Sequence, residues 1–213
     1  MKKGRLMFSC IILSVAIFFS GCSETKETDE TQLLSRINNK VIEMVLENDE
    51  SGGAIEASDV VLDQTFYGSF SGPETKEVLA ICKILNMSHV GGLDRRAIII
   101  LEVDSMEMAA YNEIPADEVW VGVLPMSNGQ DRIIFSGKST YQGISAQDVM
   151  YYYAQDGQWT ITPVGMQETL GDNNFYYLTG DIMVVSSESE LTDPSDIIGV
   201  LRWDKAAGEF ILE

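Results

Sequence analysis

Few residues in this chain are of a type that does chemistry, and their spacing restricts them further. There is one histidine, His89. A single imidazole makes a His-based metal cluster impossible and a Cys/His zinc site nearly so. Gly68-Ser69-Phe70-Ser71-Gly72 has the outline of a nucleophile elbow, but Phe70 stands where the serine must be. A Ser–His–Asp hydrolase would have to recruit His89 from a Gly-containing loop, and nothing local supports that. No phosphate-binding loop or dinucleotide fingerprint occurs. Paired carboxylates for glycoside hydrolysis can always be chosen from 33 acids, so their presence discriminates nothing.

The densest chemical stretch is Ser88-His89-Val90-Gly91-Gly92-Leu93-Asp94-Arg95-Arg96. It gathers two arginines beside the histidine and a Gly pair. Two readings stay open. His89, Arg95 and Arg96 form an anion or partner-binding site built on Gly amides and guanidinium forks, or the arginines pair with neighbouring acids in a strand-connecting loop. Asp193-Pro194-Ser195-Asp196 and Asp172-Asn173-Asn174 offer oxygen ligands of the kind Ca²⁺ takes, or are solvated loops; no other cofactor or metal is indicated. Trp120, Tyr151, Tyr152, Tyr153, Trp159 and Trp203 could line a carbohydrate or peptide groove. Strand alternation places Tyr151 and Tyr153 on one face and Tyr152 on the other, so part of this set belongs to a core.

The charge balance is unusual. Fourteen Lys and Arg face 33 Asp and Glu, a net charge of −19 with a pI near 4.2. Such a surface repels phosphate backbones and anionic headgroups, which argues against nucleic-acid binding and against membrane attachment by charge. Acidity of this kind also serves solubility alone.

Lys2, Lys3 and Arg5 precede an uncharged apolar run, Leu6 to Phe19, which is too short to span a bilayer and suits the h-region of a signal peptide. It ends in Phe19-Ser20-Gly21-Cys22. This segment resembles the lipobox of bacterial lipoproteins, with Phe19 in place of the usual Leu. The resemblance implies cleavage between Gly21 and Cys22, leaving residues 1–21 as a signal peptide. It also implies diacylglyceryl modification of the Cys22 thiol and fatty acylation (palmitate-type chains) that tethers the protein outside the cytoplasm. The location is then the outer face of the cell membrane, or the outer membrane in a diderm cell. Two acyl chains suffice for stable attachment. Cys82, in the run Val78-Leu79-Ala80-Ile81-Cys82, is then the remaining thiol and reads as a small buried hydrophobe.

After Cys22, residues 22–30 read as the lipidated Cys and a flexible polar spacer, and residues 31–213 as one β-rich extracytoplasmic domain. Leu33, Leu34, Ile37, Val41, Met44 and Val45 recur at helical spacing and predict a helix over 31–47. Eleven strand candidates follow: Thr65–Phe70, Glu77–Ile84, Arg96–Val103, Val119–Leu124, Asp131–Gly137, Val149–Ala154, Trp159–Pro163, Phe175–Leu178, Ile182–Ser186, Ile197–Arg202 and Glu209–Leu212. Turn signals separate them, with Asp156-Gly157 the clearest hairpin bend. The fold class is mainly β, antiparallel hairpins or meanders arranged as blades or a sandwich. Three segments (Phe66-Tyr67-Gly68 to Glu77, Ile134 to Gly137 to Asp148, Leu178-Thr179-Gly180 to Asp196) echo one another and resemble, weakly, the blades of FG-GAP-like β-repeat domains; three blades are too few to close a propeller.

These features describe a membrane-tethered extracytoplasmic lipoprotein, a non-enzymatic binding module for a protein or glycan partner. The rival is an extracytoplasmic hydrolase of glycans working through carboxylates. A small-solute receptor would need βαβ alternation, which the pattern lacks. In a bacterial host the product is expected to lack residues 1–21 and to carry acyl mass. Mass spectrometry and detergent phase partitioning of wild type against Cys22→Ala test this; an uncleaved or unlipidated wild type contradicts it.

Overall fold

A computed structural model describes residues 24–49, 55–88, 94–141, 144–155, 157–164 and 174–213. Gly21, Cys22, His89, the signal segment and the start of the spacer lie outside these residues. The described residues contain one α-helix, α1 (Glu24–Glu47), two single-turn 3-10 helices (Ala57–Asp59 and Pro194–Asp196) and twelve strands. The helix begins earlier than its apolar stripe suggested: Glu24 to Glu30, read as flexible spacer, is helical. Glu and Lys are good helix formers, and acidic side chains in a first turn complement the helix dipole.

The strands form three four-stranded sheets, each an antiparallel meander of sequential neighbours. Sheet 1 holds β1 (Val60–Gly68), β2 (Glu77–Ser88), β3 (Asp94–Glu102) and β4 (Met108–Pro115). Sheet 2 holds β5 (Glu118–Pro125), β6 (Asp131–Tyr141), β7 (Ile144–Gln155) and β8 (Gln158–Pro163). Sheet 3 holds β9 (Phe175–Thr179), β10 (Ile182–Ser186), β11 (Ile197–Asp204) and β12 (Glu209–Leu212). Tight bends make the meanders possible. Gly157 (φ 74°) and Gly180 (φ 61°) occupy two-residue hairpin loops in the left-handed region that a side chain disfavours. All eleven strand candidates are present. The strand that periodicity missed is β4, MAAYNEIP, whose Ala, Asn and Glu have low strand propensity and which ends in Pro at a sheet edge. The three echoing segments fall at different strands within their sheets (β1 to β2, β6 to β7, β9 to β11), so they do not mark the repeated unit, which is the four-stranded meander.

Alternation assigns each sheet's residues to two faces. From sheet 2, Val121, Ile133, Phe135 and Tyr152 pack with Phe70, Leu79, Ile81, Ile98, Ile100 and Ala110 of sheet 1 and its first loop. From the opposite face, Leu124, Ile134, Val149 and Tyr151 pack with Met183, Val185, Leu201, Trp203 and Phe210 of sheet 3. Sheet 2 is therefore the middle layer, buried on both sides. Val78, Ala80, Cys82, Ala97, Ile99 and Leu101, on the outer face of sheet 1, are fully buried too. So is the helical stripe Ile37, Val41 and Val45, which covers that face. Arg36, midway along α1, donates from Nη2 to Asp104 O (3.3 Å), and Asp49, just past its last residue, meets Arg95 (3.6 Å).

Burial pushes the phenols of Tyr151 and Tyr152 up from 10 to about 12, and the Cys82 thiol from 9 to about 12. The folded protein holds these protons more tightly than the unfolded chain. Their contribution to stability is complete below pH 9 and is lost as pH rises through about 12. Melting temperatures are expected to be level to about pH 9 and then to fall, with a shallower fall in Tyr152→Phe. Scanning calorimetry from pH 8 to 12 measures this, and identical alkaline slopes in the two proteins would contradict the burial of the phenol.

Candidate functional site

Strand length creates the most open feature between the layers. β6 and β7 run for 11 and 12 residues, whereas β9 and β10 have 5 each. At about 3.3 Å per residue, sheet 2 overhangs the first two strands of sheet 3 by several residues. On the face of sheet 2 turned toward sheet 3, the register stacks rows across the strands. Gly122–Ile134–Tyr151 lies mid-sheet, Trp120–Ser136–Val149 follows, and Glu118–Lys138–Gln147 forms the last row. The first row and Val149 of the second meet sheet 3; Trp120 and the last row reach the overhang. A cleft of about 400 Å³ results, with Glu118, Trp120, Lys138 and Gln147 on one wall and Tyr176, Tyr177 and Leu178 of β9 on the other.

Gln147 sets the spacing of these walls. Its amide accepts from Tyr176 N (2.8 Å) and donates to Tyr176 O (3.1 Å), and the same Nε2 donates to Ser136 Oγ. The side chain thus takes the place of a neighbouring strand along the free edge of β9, which satisfies backbone groups that a half-buried edge would leave unpaired. Gly122 permits the close approach: a Cβ there would lie 2.5 Å from Leu178 Cδ2. Several polar groups of the cleft remain available. Lys138 Nζ has only a loose contact with Glu118, 4.0 Å away. Among the described residues the Trp120 indole N–H has no hydrogen-bond partner, unlike that of Trp203, which donates to Pro125 O at 2.8 Å. Burial raises the Tyr176 and Tyr177 phenols above the ordinary value, and both hydroxyls are already engaged, Tyr176 with the Asn174 side chain and Tyr177 donating to Glu188 O (3.3 Å).

The residues singled out in the sequence are not brought together here. Arg95 and Arg96 are both nearly buried and lie on opposite faces of β3. Arg95 donates from Nε to Glu113 Oε2 (2.9 Å) and from Nη2 to the same oxygen, and Tyr111 donates to the other oxygen of Glu113. Burial opposes the charge on Arg95, but Glu113 and Asp49 outweigh it and its pKa lies above the ordinary guanidinium value. Arg96 reaches Asp63 (3.1 Å) and Asp117 O (3.1 Å). Both guanidiniums hold the protein's own acids and carbonyls, from strand β3 and not from the connecting loop. In the Asp193–Asp196 turn, Asp193 Oδ1 accepts from Ser195 N and Oγ (both 2.8 Å), which lowers its pKa, and Asp193 N donates to Asp196 Oδ2 (3.2 Å). Asp172 and Asn173 lie outside the described residues. Among the described residues no group of three or more His, Cys, Asp or Glu is placed to hold a metal ion.

Of the six aromatics, only Trp120 lines the cleft. Tyr151 and Tyr152 are buried on opposite faces of sheet 2, with Tyr153 on the side of Tyr151. Trp159 packs on Tyr152 with centroids 5.0 Å apart, and Trp203 is in the core. Sequence reasoning missed Lys138, Gln147, Tyr176 and Tyr177. The adjacent pair Tyr176-Tyr177 in a short strand was the available signal, since alternation exposes one member of such a pair.

A second hollow, of about 460 Å³, is ringed by Glu74, Glu77, Glu102, Asp104 and Glu107. Its buried carboxylate, Glu77, accepts from Phe70 N (2.6 Å), Ser71 N (2.8 Å) and Thr75 Oγ1 (2.6 Å), so it builds the β1–β2 turn. Comparison of the chain with protein-family models, with curated proteins and with solved structures returns no match.

Gln147→Ala would strand both polar groups of Tyr176 at a half-buried edge, at a cost of about 1–3 kcal/mol. Urea unfolding and hydrogen exchange at Tyr176 measure it; wild-type stability with unchanged protection would contradict the bridging role.

Proposed function

We propose that this protein is an extracytoplasmic, lipid-tethered binding module whose ligand is a glycan chain held in the cleft between sheets 2 and 3. The observation that carries the reading is the pairing, in one open cleft, of Trp120 and Tyr176 with unspent polar groups: the indole N–H, Lys138 Nζ and the Glu118 carboxylate. Aromatic rings present broad, rigid apolar faces with a polar rim, which suits the C–H face of a pyranose ring. Donors and an acceptor at the rim suit its hydroxyls, and few, well-placed polar groups in a mostly apolar cleft fix orientation. Glu118 and Lys138 offset each other, so the cleft is close to neutral on a chain of net charge −19. That favours an uncharged ligand over a phosphorylated one.

The tether follows from the Phe19-Ser20-Gly21-Cys22 resemblance, and it places the module where surface glycans are. Among the described residues lining the cleft Glu118 is the one carboxylate, where glycoside hydrolysis takes a pair, which favours holding the glycan over cutting it.

Titration calorimetry of the intact protein against tetrasaccharides of β-linked glucose and of N-acetylglucosamine tests the reading. Binding in the micromolar to millimolar range is expected, weakened at least about tenfold by Trp120→Ala with the fold unchanged, since a stacking ring contributes roughly 1–2 kcal/mol. Absence of heat with every saccharide, or binding indifferent to Trp120→Ala, would contradict it. Release of reducing sugar would favour the carboxylate hydrolase.

A further inference from the structure

The backbone of β9 leaves one position open inside the cleft. An antiparallel edge strand turns the N–H and C=O of alternate residues toward its partner strand and toward its free side. Tyr176 N and O bond the Gln147 carboxamide, so Tyr176 belongs to the free side and its neighbours bond β10. Leu178, two residues on, therefore aims the same pair of groups to the same side. Among the described residues neither its N–H nor its C=O has a hydrogen-bond partner. The free side is the cleft itself, which runs the length of β9 and is lined by every residue from Phe175 to Thr179. An edge with an open N–H and C=O is a template for another chain. The Trp120 ring lies beside it: a Cβ at Gly122 would stand 2.5 Å from Leu178 Cδ2 and 3.7 Å from Trp120 Cη2.

We infer that the glycan held in the cleft carries a peptide branch, one residue of which pairs through its N–H and C=O with Leu178. This rests on the glycan reading of the cleft and adds the class of its substituent. Gln147 shows the chemistry that this edge takes. A donor and an acceptor presented together satisfy Tyr176 from within the chain, and Leu178 offers the next equivalent position to a group from outside. One residue of an extended peptide presents N–H and C=O on the same side, at the spacing of an antiparallel pair. The acetamide of an amino sugar does not, because its trans geometry points N–H and C=O in opposite directions. A short branch suffices. Gln147 occupies the position before Leu178, and the Gly180-Asp181 bend ends the strand just after it. Trp120, adjacent to Leu178, is placed to stack on the sugar that bears the branch.

Titration calorimetry and residue-resolved hydrogen exchange of the intact protein test the inference with two probes. N-acetylmuramic acid and N-acetylmuramyl-L-alanyl-D-isoglutamine share an amino sugar and differ by a peptide. The peptide-bearing sugar is expected to bind at least about tenfold tighter, through two added backbone hydrogen bonds. It is also expected to slow exchange of the Leu178 amide at least about tenfold, while N-acetylmuramic acid leaves that amide fast. The Tyr176 amide, already held by Gln147, should respond to neither. Leu178→Pro removes the outward N–H and no bond to β10, as Pro at a free edge does. It should abolish the preference for the peptide-bearing sugar, and Leu178→Ala, which keeps the N–H, should retain it. The exchange measurement uses the wild type, so it decides the matter even where the Pro variant fails to fold. Equal affinity for the two probes with Leu178 unprotected overturns the inference and leaves the glycan reading standing. A preference and a Leu178 protection that both persist in Trp120→Ala overturn the glycan reading and leave the peptide pairing standing. Binding of neither probe overturns both.

Discussion

Everything in the domain is built outward from a sheet that has no free face. Sheet 2 contributes Val121, Ile133, Phe135 and Tyr152 to one core and Leu124, Ile134, Val149 and Tyr151 to another. Each buried aliphatic or aromatic side chain among these is worth about 1.5–3 kcal/mol relative to exposure. Neither flanking sheet can leave without exposing half of that surface. Polar ties then fix orientation where the apolar cores cannot. Trp203 donates to Pro125 O, Phe210 N donates to Tyr151 Oη (3.0 Å), and Arg132 donates to Gly208 O while its guanidinium lies 4.3 Å from the Tyr153 ring centroid. On the other side, Asp131 accepts from Ser69 N (2.9 Å), and Gln130 donates to Phe70 O (2.8 Å) and Ala154 O (3.1 Å).

The cleft follows from that arrangement. A middle sheet with long central strands must project beyond a shorter neighbour, and the projecting rows here change from aliphatic to Trp120, Ser136, Glu118, Lys138 and Gln147. Glu118 and Lys138 would be costly to bury against sheet 3 and are well placed beside water, while the buried Ser136 hydroxyl is satisfied by Gln147. Gln147 reconciles the two demands by hydrogen-bonding the edge of β9, so the core closes where the polar rows begin.

Much of the fold was legible because strands with one or two buried faces betray themselves through Val, Ile and aromatic content, and because Gly-containing pairs mark hairpin bends. Tyr151 to Tyr153 showed their two faces from alternation alone. What escaped has a physical reason in each case. β4 is an edge strand of ordinary composition, stabilised by pairing with β3 and not by its own propensity. The helical extension through Glu24 to Glu30 carries no apolar residue, so periodicity had nothing to register. Arg95 and Arg96 looked alike in sequence, yet consecutive strand residues point to opposite faces, and each met different acids from distant segments. Lys138 and Gln147 belong to the cleft only because β6 and β7 outrun β9, a difference in length that no local pattern encodes.

The doubly buried middle sheet is tested most directly by native-state hydrogen exchange followed residue by residue. Amides of Ile133 to Phe135 in β6 and Val149 to Tyr152 in β7 should exchange only through global unfolding, more slowly than any in β1, β9 or β12. Equal or faster exchange in β6 and β7 than in those outer strands would mean that sheet 2 is not the layer on which the others depend.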